Sequence, residues 1–408
     1  MKDEAKKSKR IKGNIFAWLF YTFCSRVFLF FKHHIKYNRK AFNKRNKKEG
    51  CLVIYNHMSN RDHFVTTASF KYTRVNYVIT KYYYFNKTLR SVLNCVKAIP
   101  RDQFKSDLIS IRKMKKVIDQ KGIVAIAPAG QITSHGELIY IDPAIVKLVK
   151  FCRADLYALR MYGNYLAYPK WRRSKRNYPI ETEFVKVLSK EEIASLSDDE
   201  IYKKVVDSIN VSDYEYQRLH HYKVKGKGII EGLETVTYYC PKCKSKHTFE
   251  TNGNIMVCKK CGNKIRMNQF GFLEPASNDT VMFSSEYLWY EYEKELIKRQ
   301  ILNGSLHIEG NYKLLRNIND EFVLDEIGSG KVVLTSSAFY FEGTVNNEYY
   351  KKEFNINQIY QLPFGIQKRF NVPDSEGTFE FRPIDNPNQI IEFVQAIDVM
   401  REIRTKEK

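Results

Sequence analysis

The sequence contains no uninterrupted run of about twenty apolar residues, the length that a membrane-spanning helix needs. The longest apolar segment, residues 15–31, is rich in phenylalanine and is interrupted by Arg26. Basic residues flank it on both sides, so charge gives no direction for crossing. We therefore expect an amphipathic helix in the membrane interface, with a spanning or re-entrant helix and a buried core helix as alternatives. No small-x-small cleavage site follows the segment, so we expect no signal peptide.

Acidic residues are scarce in the first 230 residues, which hold 46 Lys and Arg against 20 Asp and Glu. Residues 269–408 reverse this balance, with 15 basic against 22 acidic residues. The net charge of +23 therefore belongs to the N-terminal part of the chain. A basic surface attracts anionic lipid headgroups, phosphate-bearing substrates and acidic protein donors. It also suits nucleic acid, which composition alone does not exclude.

Cysteine is also scarce, with eight in 408 residues, and only half of the cysteines form a pattern. Two Cys-x-x-Cys pairs, Cys240 with Cys243 and Cys258 with Cys261, have the spacing of a structural tetrathiolate zinc site. This spacing predicts a zinc ribbon over residues 236–268, with disulfides as the alternative. The remaining cysteines are scattered, and we expect them to be reduced core residues: Cys24, Cys51, Cys95 and Cys152.

His57 and Asp62 stand five positions apart, directly after an apolar run at residues 52–55 that predicts a buried strand. A histidine can act as a general base near neutral pH, and an aspartate on its other ring nitrogen sets the tautomer. Five residues of regular helix amount to about 140° of rotation, which would separate the two side chains. They can meet only across a turn at a strand–helix junction, where Asn56 and Ser59 are favourable residues. The alternative is an unpaired histidine and aspartate on the surface.

Four sequence blocks carry a family resemblance. Residues 56–62 read Asn-His-x-Ser-x-x-Asp, which resembles the first signature block of the glycerolipid acyltransferases, the lysophosphatidic acid (PlsC-like) acyltransferase family. Residues 98–102 resemble the second block, residues 126–132 the third, and residues 159–163, more weakly, the fourth. The resemblance covers about residues 14–225.

The resemblance implies an α/β acyltransferase layer domain in which His57 is the catalytic base and Asp62 orients it. The acceptor would be a lysophospholipid, most simply 1-acylglycerol 3-phosphate, giving phosphatidic acid in phospholipid biosynthesis. The donor would be acyl-CoA or an acyl carrier protein, and no catalytic metal is expected. Arg101 would bind phosphate, because a guanidinium binds it with bidentate geometry. The residues expected to bind substrate are Asn56, Ser59, Arg101, Gly130 and Gln131.

The third block departs from the family pattern at two positions. Ala129 stands where the family usually has glutamate, and Ile132 where it usually has arginine. The expected acceptor site therefore lacks a carboxylate and a guanidinium, and Gln131 supplies hydrogen bonds but no charge. The alternative function is a catalytically weak lipid-binding or membrane scaffold protein derived from this family. A nucleic-acid-binding protein built on the basic surface and the ribbon is a third, less favoured class, so nucleic acid is not expected as a partner.

Short apolar runs alternate with helical stretches between residues 50 and 190, which predicts an α/β fold. We expect the protein at the cytoplasmic face of the cell membrane, peripheral or monotopic.

The C-terminal pattern resembles a pleckstrin-homology or GRAM-like module, whose net charge of −7 argues against docking on anionic lipid. The predicted domains are a basic amphipathic membrane-associating segment (1–48), the acyltransferase domain (49–228), the zinc ribbon (236–268) and a helix with a mainly-β domain (280–408). Predicted strands are 52–55, 76–80, 122–127, 332–335, 338–341, 366–370 and 378–381, and predicted helices are 107–120, 286–301 and 387–403.

Overall fold

A computed structural model of the protein describes residues 11–103, 107–317 and 323–406. The described chain forms two compact units. The first contains most of the chain up to Lys225, and the second contains Gly226 onward together with Trp171–Lys175. The boundary falls at the glycine-containing segment 226–228.

A seven-stranded sheet forms the centre of the first unit, with the order β1-β7-β6-β2-β5-β3-β4. Neighbouring strands are parallel, except for the antiparallel pair β6 and β7. The mixed α/β fold predicted from the sequence is confirmed. The strands are β1 (Lys36–Asn38), β2 (Cys51–Tyr55), β3 (Asn76–Thr80), β4 (Ile99–Arg101), β5 (Ile123–Ile126), β6 (Leu156–Tyr162) and β7 (Glu181–Leu188).

Helices connect these strands, and several begin with strong caps. Asp107 accepts a hydrogen bond from the Ser110 backbone N–H (2.9 Å) at the start of α5, and Ser189 and Ser197 open capping boxes at α8 and α9. The predicted helix 107–120 is therefore present. The helices are α1 (Ile15–His33), α2 (Lys40–Asn43), α3 (Asp62–Phe70), α4 (Lys87–Cys95), α5 (Leu108–Asp119), α6 (Ala144–Cys152), α7 (Asn164–Ala167), α8 (Lys190–Ser195), α9 (Asp198–Ile209) and α10 (Asp213–His220).

Strand β2 lies in the middle of this sheet, and all five of its residues are buried. It pairs with β5 and β6, so both of its edges are hydrogen-bonded as well. A central parallel strand that is covered on both faces needs a continuous apolar run, which the sequence supplies. The carboxyl ends of β2, β3, β4, β5 and β6 meet at one edge of the sheet. Open α/β sheets bind their ligands at this edge.

Helix α1 is buried on its more polar side and exposed on its phenylalanine side. Thr22, Ser25 and His33 are fully buried. Arg26 also turns inward, since its guanidinium donates to the Ala68 carbonyl oxygen at 2.9 Å. Among the described residues, α1 is the one helix long and apolar enough, by length and composition, to cross a membrane. The outward phenylalanines, each at least 60% exposed, are Phe16, Phe20, Phe23, Phe30 and Phe31.

The second unit contains two antiparallel sheets and two long helices, α11 (Glu286–Leu302) and α12 (Ile390–Lys406). The four-stranded sheet has the order β11-β10-β9-β8 and the seven-stranded sheet the order β15-β14-β13-β12-β18-β17-β16. The strands of the smaller sheet are β8 (Phe249–Asn252), β9 (Ile255–Cys258), β10 (Lys264–Met267) and β11 (Leu273–Pro275). Those of the larger sheet are β12 (His307–Arg316), β13 (Asp325–Thr335), β14 (Phe339–Val345), β15 (Glu348–Glu353), β16 (Phe364–Gly365), β17 (Arg369–Asp374) and β18 (Gly377–Pro383).

The C-terminal sheet-rich region agrees with the predicted order of strands followed by a helix. One predicted strand is displaced: residues 366–368 form a turn and the strand begins at Arg369. Gln367 has φ +56°, and the Lys368 N–H donates to the Gly365 carbonyl oxygen at 3.0 Å, so the chain reverses there. The resemblance to a pleckstrin-homology or GRAM-like module stays a prediction.

Candidate active site and metal centre

The turn between β2 and α3 brings His57 and Asp62 together. His57 Nδ1 lies 2.5 Å from Asp62 Oδ2. Asp62 is buried, whereas the His57 side chain is 24% exposed. The other ring nitrogen, Nε2, has no hydrogen-bond partner within the described parts of the chain. A histidine held at Nδ1 by a carboxylate and open at Nε2 has the arrangement of a general base.

Four further donors hold the Asp62 carboxylate in place. Oδ2 accepts from the Met58 backbone N–H at 3.0 Å. Oδ1 accepts from the backbone N–H and the hydroxyl of Ser59, both at 3.0 Å, and from the Asn164 side-chain amide. The carboxylate is therefore unable to rotate without losing several hydrogen bonds. Sequence reasoning missed Asn164, whose one local signal is that it follows the fourth block directly.

Asn56 and Ser59, both predicted to bind substrate, are fully buried. Asn56 donates to the Met161 carbonyl oxygen at 2.8 Å and accepts from the Met161 N–H at 2.9 Å, which ties the end of β2 to β6. The Ser59 hydroxyl and N–H both bind Asp62. These contacts hold the turn that carries His57 and Asp62, and direct contact of either residue with substrate stays a prediction.

The third block follows β5 and lies beside His57, because the Thr133 N–H donates to the His57 carbonyl oxygen at 3.1 Å. Gly130 turns the chain there with φ +69°, and its N–H donates to the Ala127 carbonyl oxygen at 3.1 Å. Gln131 is 8% exposed, and its side chain makes no hydrogen bond with another described residue. Ala129 packs into the apolar core of the unit. The position where the family usually carries glutamate is thus a core position in this chain.

Arg101 is the last residue of β4 and pairs with Thr80 of β3. Three strand spacings, about 14 Å, separate the backbones of β4 and β2 along the edge of the sheet. Burial lowers the pKa of the Arg101 guanidinium, and the carboxylates of Asp107 and Asp142 act in the opposite direction. Its guanidinium forms no ion pair within 4.0 Å with another described residue, and its binding of phosphate stays a prediction.

Residues 33–161, which contain His57, Asp62, Arg101 and Gly130, match the family model Acyltransferase. The segment is an acyltransferase domain, which confirms the family predicted from the four sequence blocks. Among solved structures, the 1-acyl-sn-glycerophosphate (LPA) acyltransferase PlsC from Thermotoga maritima is similar. That match has 12% sequence identity and a TM-score of 0.41, and it covers 51% of this chain and 80% of that chain. No curated protein sequence matches this chain significantly.

The four ribbon cysteines form one cluster in the second unit, and their sulfur atoms lie within 4.8 Å of one another. The Sγ atoms are 3.7 Å apart both between Cys240 and Cys261 and between Cys243 and Cys258. Tetrahedral zinc with Zn–S bonds of about 2.3 Å has sulfur–sulfur separations of about 3.8 Å, so the cluster fits this ion.

Two equivalent turns build this cluster. The Lys244 N–H donates to the Cys240 carbonyl oxygen at 2.9 Å, and the Gly262 N–H donates to the Cys258 carbonyl oxygen at 2.8 Å. Lys244 and Gly262 both have left-handed backbone angles, with φ +64° and +72°. The two Cys-x-x-Cys pairs thus form matching knuckles, as a zinc ribbon requires.

Most basic side chains of the ribbon already have partners inside the second unit. Arg266 pairs with Glu274 at 2.7 Å, and the Lys244 amine binds the Tyr292 hydroxyl at 3.1 Å. Pairing reduces the positive charge that the ribbon could offer to nucleic acid. The other paired residues are Lys242 with Asp279, Lys246 with Glu392 and Lys259 with Glu250.

Proposed function

We propose that this protein is an O-acyltransferase that works at a membrane surface. It moves a fatty acyl group from an acyl thioester, acyl-CoA or acyl carrier protein, to the hydroxyl of a lysophospholipid. The simplest acceptor is 1-acylglycerol 3-phosphate, which would give phosphatidic acid. The observation that carries this proposal is the His57–Asp62 pair, with Nε2 of His57 open, inside an acyltransferase domain.

The chemistry needs one proton shuttle. Nε2 of His57 takes the proton of the acceptor hydroxyl while that oxygen attacks the thioester carbonyl carbon. Asp62, bonded to Nδ1, stabilises the imidazolium that forms. The carbon–sulfur bond then breaks, and the leaving thiolate takes the proton from His57. The products are an ester and a free thiol, and no metal enters the reaction.

Acceptor binding is assigned to the edge of the sheet beside His57. Arg101 has no ion-pair partner within 4.0 Å in the described chain and would bind the acceptor phosphate through paired N–H groups. The side-chain amide of Gln131, which makes no hydrogen bond with another described residue, lies next to the turn that holds His57. Gly130 lacks a Cβ, which lets a ligand approach the backbone closely. With alanine at position 129 and isoleucine at 132, Arg101 would carry most of the charge recognition.

Membrane association is assigned to α1. Its outward phenylalanines offer an apolar face, and the first fifty residues hold 15 Lys and Arg against 3 acids. Each basic residue near an anionic surface contributes about 1 kcal/mol to binding. These features support an interfacial helix at the cytoplasmic face of the cell membrane, with a spanning helix as the alternative.

The membrane assignment is tested by liposome flotation of a Phe20→Ser/Phe23→Ser variant. Both side chains are more than half exposed, so the change should release the protein while leaving its fold intact. Leu219→Ser is the matched control, because Leu219 is 79% exposed on α10 and should not affect binding. Binding of the wild-type protein should also fall as salt rises. Resistance of the full-length protein to both salt and alkaline carbonate would favour a spanning helix.

The ribbon is assigned a structural role with one zinc ion held by its four thiolates. Metal binding would supply folding energy to a segment whose own core is small. Nothing in the proposed chemistry at His57 uses this ion.

Acyl transfer is tested with purified full-length protein on mixed micelles. A panel of lysophospholipids is offered with acyl-CoA or acyl carrier protein, and diacyl products are identified by mass spectrometry. His57→Ala should remove product formation, whereas His307→Ala, which changes a 56% exposed histidine of the second unit, should not. Absence of product from every acceptor, with liposome binding retained, would favour the lipid-binding scaffold instead.

A further inference from the structure

The orientation of Asp62 depends on a residue that the sequence places far from it. Three of the four donors that hold the carboxylate, the Met58 N–H and the two groups of Ser59, come from the same turn as His57. The fourth is the side-chain amide of Asn164, which lies 102 residues further along the chain. Asn164 therefore joins the catalytic turn to the loop after β6.

Besides Asp62, the Asn164 amide nitrogen has one further contact among the described residues, a weak one to the Met161 sulfur at 3.9 Å. The Asn164 side chain is fully buried, and its Oδ1 has no hydrogen-bond partner in the described chain. Leaving a buried acceptor unpaired costs about 1–3 kcal/mol, so an asparagine here is unfavourable for packing alone. Its amide nitrogen donates to Oδ1 of Asp62, and this is the contact that offsets the cost. Such exceptions to pairing are expected at functional sites.

Asp213 holds Asn164 in this position. Its carboxylate accepts from the Gly163 N–H at 2.7 Å, from the Tyr165 N–H at 2.7 Å and from the Leu166 N–H at 3.3 Å. These three N–H groups surround Asn164 in sequence, so Asp213 determines where the Asn164 backbone lies. Asp213 is itself fully buried, and it begins α10.

We propose that Asn164, supported by Asp213, is a positioning residue for the His57–Asp62 pair. The Asn164 amide holds Oδ1 of Asp62 so that Oδ2 stays on Nδ1 of His57, and it withdraws negative charge from the carboxylate. Loss of this donor leaves the carboxylate more basic, which stabilises the protonated form of His57. The inference rests on the proposed function, because it assigns a role within the same reaction.

The test combines steady-state kinetics with an NMR titration of His57, using full-length protein. Asn164→Ala should lower kcat about 10–100-fold with little change in KM for either substrate. The same change should also move the acidic limb of the pH profile of kcat/KM to higher pH. Asn164→Asp, which is nearly isosteric, places a second carboxyl group beside Asp62; because two buried carboxyl groups in contact share one proton, this variant keeps a donor on Oδ1 and should move the acidic limb less than Asn164→Ala does. Asn164→Ala combined with Asp213→Asn should lose little more activity than either change alone, since both act through one contact.

Asn76→Ala is the matched control. Asn76 is 4% exposed at the amino end of β3, and its amide donates to the Ile11 and Lys97 carbonyl oxygens at 2.8 and 2.9 Å. Its loss should lower the melting temperature without moving the acidic limb or the His57 titration. A His57 titration unchanged in Asn164→Ala, or shifted equally in Asn76→Ala, would overturn the inference.

The NMR titration also separates this inference from the proposed function. If no lysophospholipid is acylated but His57 still titrates at higher pH in Asn164→Ala than in the wild-type protein, the positioning contact stands and the proposed activity fails. If acylation is observed and Asn164→Ala keeps both wild-type kcat and the wild-type titration, the positioning role alone is refuted.

Discussion

Replacing Asp62 with asparagine tests the catalytic pair more sharply than removing His57. The amide has almost the same shape as the carboxylate, but one of its two ends must be an NH₂ group. With NH₂ at the Oδ1 position, it faces the Ser59 N–H, which is fixed by the backbone, and the Asn164 amide, which donates to that position in the wild-type protein. With NH₂ at the Oδ2 position, it faces one fixed donor, the Met58 N–H, together with Nδ1 of His57.

The second orientation is favoured because it leaves one fewer donor unpaired, a difference of about 1–3 kcal/mol. In that orientation Nδ1 of His57 must accept a hydrogen bond, so the ring proton moves to Nε2 and the base is blocked. This reduces the active tautomer about 10–100-fold, and the loss of the negative charge that stabilises the imidazolium adds a similar factor. We therefore expect Asp62→Asn to lower kcat about 10²–10⁴-fold.

The assay is diacyl lipid formation at saturating donor and acceptor, with the melting temperature measured in parallel. Asp119→Asn is the matched control, because Asp119 is an exposed partner of Lys115 on α5, outside the site, and should keep wild-type kcat. His57→Ala should lose at least as much activity, and the double variant no more than His57→Ala, since the two residues act as a unit. A folded Asp62→Asn protein with more than about a tenth of wild-type kcat would refute the reasoning.

Three other predictions concern the acceptor, the metal and pH. Arg101→Ala should raise KM for a phosphate-bearing acceptor about 10–100-fold and leave KM for the donor unchanged, with Arg112→Ala, exposed on α5, as the control. Elemental analysis should find about one zinc per chain, and Cys258→Ser should remove it and lower the melting temperature without a direct effect on kcat; a zinc-free wild-type protein that is folded and active would contradict this. Burial raises the pKa of Glu293 from 4.5 to about 8, so the folded protein keeps a proton that the unfolded chain releases. Stability should therefore fall as pH rises from about 4.5 to about 8, and Glu293→Gln should remove that part of the slope in melting temperature; an unchanged slope would refute the assignment.

Local patterns were sufficient to predict the parts of the site that lie close together in sequence. The apolar run of β2, the turn-forming residues after it and the spacing of His57 and Asp62 all belong to one short segment, and the structure joins them as predicted. The four ribbon cysteines also converge, because each Cys-x-x-Cys pair closes its own knuckle. Strand β15, by contrast, is mostly polar and lies at the edge of its sheet with Tyr349 and Lys351 exposed, so its pattern gives no strand signal.

Contacts between distant segments could not be predicted in this way. No local pattern indicates that Asn164 reaches Asp62, because the two residues are 102 positions apart in the sequence. Only the order of the strands in the sheet brings them together. The same applies to Asp213, which looks like an ordinary helix-start residue in the sequence. The sequence shows only that Ala129 stands where the family usually has glutamate. The structure adds that Ala129 is a core residue.

The structure changes how the basic residues near α1 should be tested. Composition places Arg26 among the charges expected to face anionic lipid, yet its guanidinium binds the Ala68 carbonyl oxygen at the end of α3. Arg39 donates to the Phe70 carbonyl oxygen of the same helix at 3.1 Å. A cation is favourable at a helix C-terminus, where carbonyl groups are unpaired and the helix dipole is negative. Because α3 begins at Asp62, these two arginines hold the far end of the helix that carries the carboxylate bonded to His57. An Arg26→Glu change would therefore disturb the site as well as the surface charge, whereas changes at the outward phenylalanines test membrane binding without touching the chemistry.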